Sequence, residues 1–176
     1  MRILVPFSGG LDSTVTAILL KANLHEIHAS HLVWDNRRGI GGPQAKAAEK
    51  VANILGLPFA VIGRFEISTT ILWSPVFISV FMDAARRGKY DAIAFGFVGG
   101  QSRHDWFTLC ADMARAIGYT GHILFPVRGM DRRSEWNFIP KTLKNQLYTC
   151  HSRRGSTPCG RCIKCATDLK VIAQND

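Results

Sequence analysis

A chain of 176 residues with 47% hydrophobic content is long enough to bury one domain core and too apolar to be disordered. Its 22 Lys and Arg against 13 Asp and Glu give a formal charge of +9, which favours anionic ligands, nucleotide or nucleic acid. No apolar run approaches the roughly 18 residues of a membrane span, and no secretory leader precedes the first strand, so a cytoplasmic chain is expected.

The apolar run Ile3–Phe7 reads as a strand and Leu11–Ala22 as the helix that follows it. Further strands are expected at Ile27–Trp34, Pro58–Ile62, Ala92–Phe97 and Ile123–Phe125, with helices at Gln44–Leu55, Phe77–Arg87 and Trp106–Ile117. Gly56, Gly88 and Gly118 follow three of these helices, where a left-handed residue is wanted. Alternating strands and helices imply a doubly wound, Rossmann-like parallel sheet of about five strands, covered on both faces. Ligands bind such sheets beyond the carboxyl ends of the strands, where the strand order switches. The segments after Phe7, at Trp34-Asp35 and at Gly96–Asp105 all fall at strand ends and are expected to line one cleft. The glycine- and arginine-bearing stretch Asn36–Pro43 reads as a mobile loop. A nucleotide-binding domain over residues 1–127 is expected, with a helical segment and cysteine module over 128–176 packed onto it as one unit.

The stretch Ser8-Gly9-Gly10-Leu11-Asp12-Ser13-Thr14 joins the first strand to the first helix. Two glycines at a helix N-terminus bring backbone N–H groups close to an anion at the positive end of the helix dipole. The hydroxyls of Ser8, Ser13 and Thr14 add donors, while Asp12 suits an N-cap or an indirect magnesium partner. No Gly-Lys-Ser/Thr closes the loop, so it is not a Walker A motif. The plain alternative is a glycine turn with a serine cap. With its flanking strand and helix, the stretch resembles the PP-loop, SGGxDS, of the ATP pyrophosphatase superfamily. That resemblance implies ATP with magnesium held by Ser8, Gly9, Gly10, Leu11, Asp12, Ser13 and Thr14.

Cys150, Cys159, Cys162 and Cys165 follow the pattern C-x8-C-x2-C-x2-C. Closely spaced thiolates with a fourth returning from a loop suit a closed tetrahedral zinc site of structural type. An iron–sulfur cluster uses the same ligands, and disulfides are the bland alternative. Cys110 falls in a helical pattern and reads as a buried thiol.

The SGGLDST loop followed by this cysteine cluster resembles the 7-cyano-7-deazaguanine synthases, whose C-terminus carries Cys, a glycine-containing loop, then Cys-Gly-x-Cys-x-x-Cys. Trp34-Asp35 and Arg133-Ser134-Glu135, where that family has Lys-x-Glu, extend the likeness. The resemblance implies an ATP-dependent carbon–nitrogen ligase of 7-deazaguanine (queuosine-type) biosynthesis. It joins ammonia to the carboxylate of 7-carboxy-7-deazaguanine and dehydrates the amide to a nitrile. Asp12, Ser13 and Arg133 would then serve catalysis, Arg133 as the cation near the phosphates, its alternative being a surface ion-pair partner on a solvated helix. Trp34 would lie beside the adenine, its alternative being core packing. Gln101, Arg103 and Asp105 would read the base, or else form an ordinary polar loop. A homodimer is also implied.

The chain departs from that family in a shorter segment after the third strand and in lacking the tyrosine and arginine of the substrate loop. Two other functions therefore stay open. One is a different PP-loop activation, such as tRNA thiolation or amidation, although the paired arginines form no single stripe and nucleic acid is not favoured on charge alone. The other is a non-catalytic ATP-binding scaffold.

Overall fold

The computed structural model describes residues 1–35, 41–66, 73–98 and 105–147, together with Cys150, Cys159, Cys162 and Cys165. Five parallel strands make one sheet: β1 (Arg2–Pro6), β2 (Glu26–Asp35), β3 (Phe59–Glu66), β4 (Ala92–Ala94) and β5 (His122–Leu124). The helices are α1 (Leu11–Ala22), α2 (Gly41–Ile54), α3 (Trp73–Arg87), α4 (Trp106–Ile117), α5 (Arg132–Phe138) and α6 (Lys141–Lys144). The spatial order β3-β2-β1-β4-β5 puts the switch point between β1 and β4.

Both faces of the sheet are covered, and the two-residue alternation of β1 shows how. Ile3 and Val5 join a core cluster with Val15, Ala48 and Val51 from α1 and α2, whereas Leu4 joins Ile78, Phe81 and Cys110 from α3 and α4. A strand buried on both sides must be apolar throughout, and residues 3–5 are 0–1% exposed. Trp136, Ile139, Leu143 and Leu147 lie in the same cluster as Leu11 and Val15, so the segment after β5 packs on the α1 face.

The helix starts differ from expectation in one consistent way. α2 begins at Gly41 and α3 at Trp73, each with a proline at its third position, so residues 41–43 are helix rather than loop. A proline in the first turn lacks an N–H that has no intrahelical acceptor anyway, so it belongs inside the helix start. Residues 36–40 of the expected loop lie outside the described residues. Gly56 and Gly118 take the left-handed conformation as anticipated, but Gly88 does not. After α3 that conformation falls to Lys89, with φ 51°, and Tyr90 folds back so that a Cβ on Gly88 would sit 2.4 Å from its ring. β4 is also shorter than its apolar run, because the chain turns at Gly96 toward the loop after β1.

Candidate nucleotide site and metal centre

The loop between β1 and α1 is held by its own serines. The Ser8 N–H donates to Ser13 Oγ at 3.3 Å, and the two hydroxyls lie 3.2 Å apart. The Gly10 N–H donates to Ser8 Oγ at 3.3 Å, and Ser13 Oγ is 3.3 Å from the Gly10 carbonyl it donates to. Gly10 is the N-cap of α1 and has no side chain to cap it, so the first-turn N–H groups form a backbone cradle of the kind that takes phosphate. Gly9 has φ +69°, and a Cβ there would lie 2.7 Å from the Ala48 Cα of α2. From the other side, a Cβ on Gly96 would lie 2.9 Å from the Asp12 carbonyl carbon and 3.0 Å from the Ser13 nitrogen. The loop is thus clamped between α2 and the segment leaving β4, at the switch point.

A guanidinium reaches this loop from α5, and it belongs to Arg132. Both its terminal nitrogens meet the Asp12 carboxylate, one of them (Nη2) at 3.3 Å from Oδ2, and Nη1 also donates to Glu135 Oε2 at 3.1 Å. Arg133, expected in this place, is exposed on the next position of the helix. The reason is helical geometry: Asp131 caps α5 by accepting from the Ser134 N–H at 2.7 Å, which puts Arg132 and the wholly buried Glu135 on one face, three residues apart. The i, i+3 spacing of Arg132 and Glu135, with buried Trp136 beside them, is the signal in the sequence that marks the inward arginine.

Thr14 is wholly buried in α1, so its hydroxyl does not face open solvent. Trp34 lies at the carboxyl end of β2, paired with Phe65 of β3. Asp105 caps α4, accepting from the Phe107 N–H at 3.0 Å and the Thr108 N–H at 3.2 Å. Those bonds and the Thr108 hydroxyl, the largest influence, hold its carboxyl below the usual carboxylate range. Gln101 and Arg103 lie outside the described residues.

The four clustered cysteines meet at one point although they are spread over residues 150–165. Their sulfurs all lie within 4.8 Å of one another, with Cys150 and Cys165 buried. No disulfide joins them. Backbone N–H groups of Cys159, Cys162 and Cys165 point at the sulfurs of Cys150, Cys159 and Cys162 at 3.3–3.4 Å, a pattern that stabilises thiolates. A tetrahedral zinc with bonds of about 2.3 Å sets its sulfurs about 3.8 Å apart, and Cys159 and Cys165 stand at 4.0 Å. The donor set therefore fits zinc.

A parallel sheet with an SGGLDS loop at its switch point defines the PP-loop class of α/β proteins, whose members are ATP-utilising enzymes. Residues 1–89 match the tRNA methyl transferase HUP domain family, and the chain belongs to it. Among curated proteins, it is 35% identical over 89 residues to the tRNA-specific 2-thiouridylase MnmA of Campylobacter jejuni, covering 51% of this chain and 25% of that protein. The Gluconobacter oxydans 2-thiouridylase is 30% identical over 179 residues, covering 90% of this chain and 47% of the relative. The 7-cyano-7-deazaguanine synthase of Gloeobacter violaceus is 29% identical over 136 residues, covering 77% and 56%. The chain thus spans between a quarter and just over half of the length of these relatives. A solved structure described as a predicted subunit of tRNA methyltransferase from Methanocaldococcus jannaschii superposes with a TM-score of 0.52 at 18% identity, covering 78% of this chain and 73% of its own, and shares the fold.

Proposed function

We propose that this chain uses ATP to activate an oxygen on a nucleobase, so that a nucleophile replaces that oxygen and pyrophosphate departs onto the loop. The observation that carries this reading is the Ser8–Ser13 cradle at the switch point with Arg132 beside it. An anionic or carbonyl oxygen meets phosphate only if their repulsion is offset, and Arg132 with the loop N–H groups supplies that offset. Magnesium bound with ATP would add further neutralisation, with Asp12 the carboxylate to hold it. Glu135 keeps the guanidinium at the loop when Arg132 turns from Asp12 to phosphate. The oxygen of the acceptor then bonds to phosphorus, the phosphorus–pyrophosphate bond breaks, and the nucleophile expels the phosphorylated oxygen.

Ammonia acting on 7-carboxy-7-deazaguanine is the first acceptor reading, supported by the zinc-type cysteine cluster and the synthase relative. A tRNA base is the second, favoured by the family match and by the 2-thiouridylases. A sulfur relay through this chain's own thiols has little support. Four of its five cysteines are clustered, and burial pushes the fifth, Cys110, up to about 12.

The test supplies the protein with ATP, magnesium and ammonium, and offers 7-carboxy-7-deazaguanine in one arm and unmodified tRNA in the other. Mass spectrometry then follows replacement of OH by NH2 and loss of water, or an altered nucleoside in the digest. ATP cleavage that depends on one acceptor and vanishes in Asp12→Ala supports the reading. No cleavage in either arm, or full activity in both Asp12→Ala and Ser13→Ala, refutes it.

A further inference from the structure

The connection from β5 to α5 carries a second arginine in an unusual setting. Arg128 is exposed, yet its guanidinium lies over the Phe107 ring, with Cζ 3.8 Å from the centroid. Phe107 is itself braced: its ring meets Phe125 edge-on at 4.4 Å. Phe125 in turn stacks with the fully buried Phe95 at 6.3 Å and 25°, so the support runs down into the core. The backbone under Arg128 is also fixed, its N–H donating to the Phe125 carbonyl at 3.2 Å and that of Met130 to Val127 at 3.0 Å. Arg128 makes no ion pair among the described residues. The Asp105 carboxylate, whose bonds cap α4, feels the Arg128 charge without forming an ion pair with it.

A long cationic side chain on a surface normally keeps its rotamer freedom. Here an aromatic ring lies under the guanidinium carbon at 3.8 Å, which restrains the group and leaves its charged far face exposed. Such a face accepts a heteroaromatic ring by stacking and a nearby anion by charge. Its position suits the acceptor. Arg128 is four residues from Arg132, so their Cα atoms are at most about 14 Å apart even along extended backbone. Both lie beyond the carboxyl ends of the strands, on the side where Gly96 touches Asp12 and Ser13.

We propose that Arg128, held over the Phe107 ring, is a shelf on which the acceptor stacks: a flat nucleobase with an anionic group beside its ring. A carboxylated deazapurine and a nucleotide of single-stranded RNA both have that chemistry. Arg128 binds the base; Phe107 is a positioning residue that acts through it. This rests on the reading of the loop as an ATP site serving a nucleobase, because it names where that base lies.

Binding of two probes to the full chain tests the shelf: 7-carboxy-7-deazaguanine by calorimetry, and a labelled single-stranded RNA of mixed sequence by fluorescence anisotropy. Taking away the side chain on which a base stacks weakens binding by about 5- to 100-fold. Arg128→Ala and Phe107→Leu should each weaken one of the probes by that factor, and the probe affected identifies the source of the base. Arg128→Lys, which keeps charge without the plane, should recover little of the loss, whereas Phe107→Tyr should recover most of it. ATP affinity should stay at the native value throughout, and melting temperature should stay native in the Arg128 variants and fall by only a few degrees in Phe107→Leu, which loses its edge-on contact with Phe125. Three results overturn the shelf: neither probe binds, Arg128→Ala binds both normally, or Phe107→Leu and Arg128→Lys both bind as tightly as the native chain, which would leave plain charge attraction. If the probes depend on Arg128 but ATP does not bind, the shelf stands and the nucleotide reading fails.

Discussion

Replacing Arg132 with methionine removes a guanidinium that joins α5 to the loop after β1 while keeping a side chain of similar length. The Arg132 and Asp12 side chains are 14% and 22% exposed, and that of Glu135 is 0% exposed. Breaking a buried ion pair by deleting one partner costs about 3–5 kcal/mol, because the remaining charge stays out of water. Partial exposure at Arg132 and Asp12 places the loss near the lower end, about 3 kcal/mol. For a chain of this size each kcal/mol moves the midpoint by about 2–4 °C, so a fall of about 6–12 °C is expected in calorimetry or denaturant titration. The double variant Arg132→Met with Glu135→Leu should regain much of that loss, since a buried apolar pair replaces a buried carboxylate that has lost the Arg132 guanidinium. Nucleotide binding should stay weak in both, because neither carries the guanidinium. An Arg132→Met protein that melts within about 2 °C of the native chain would refute the reasoning. So would a double variant no more stable than the single one.

Gly96→Ala should weaken ATP binding about fivefold or more, at a cost of about 1–3 kcal/mol in fit, because the added carbon would lie 2.9 Å from the Asp12 carbonyl carbon; unchanged nucleotide affinity by calorimetry contradicts this. Elemental analysis should find one zinc per chain, and chelation or Cys162→Ser should lower the melting temperature, since metal binding is coupled to folding; absence of zinc, or a Cys162→Ser protein of normal metal content and stability, excludes the site. His31 is buried with Nδ1 2.7 Å from the Phe7 carbonyl, and burial pushes its pKa below the ordinary 6.5. As pH falls through about 6.5 the unfolded imidazole takes up a proton before the folded one, so the stabilisation present above that pH declines below it. Melting temperature should therefore fall more steeply from pH 7 to 5.5 in the native chain than in His31→Gln, and equal slopes count against it.

Much of this protein is written locally. The spans of α1 and α4 follow from apolar periodicity, the glycines at the loop from the strand–helix turn, and the four-cysteine cluster from cysteine spacing, because each depends on neighbours within a few residues. The doubly wound sheet follows in the same way from strands and helices alternating along the chain. The first turns of α2 and α3 are hidden by prolines that read as breakers, although a first-turn proline gives up no hydrogen bond.

What only the tertiary structure decides are the meetings of distant segments. The i, i+3 spacing to Glu135 distinguishes Arg132 from Arg133, but only the fold, with the Asp131 cap setting the phase of α5, brings Arg132 to Asp12, 120 residues away. Asp105 has the chemistry to read a base, but its carboxylate is engaged by the α4 N-terminus. Gly96 looks like any loop glycine until β4 is placed beside β1, where it has to clear the start of α1. Phe107 and Arg128 become one feature only because α4 and the turn after β5 pack against the same strand ends. Sequence periodicity records which face of an element is apolar, and the packing of those faces then determines which charged side chains share a site.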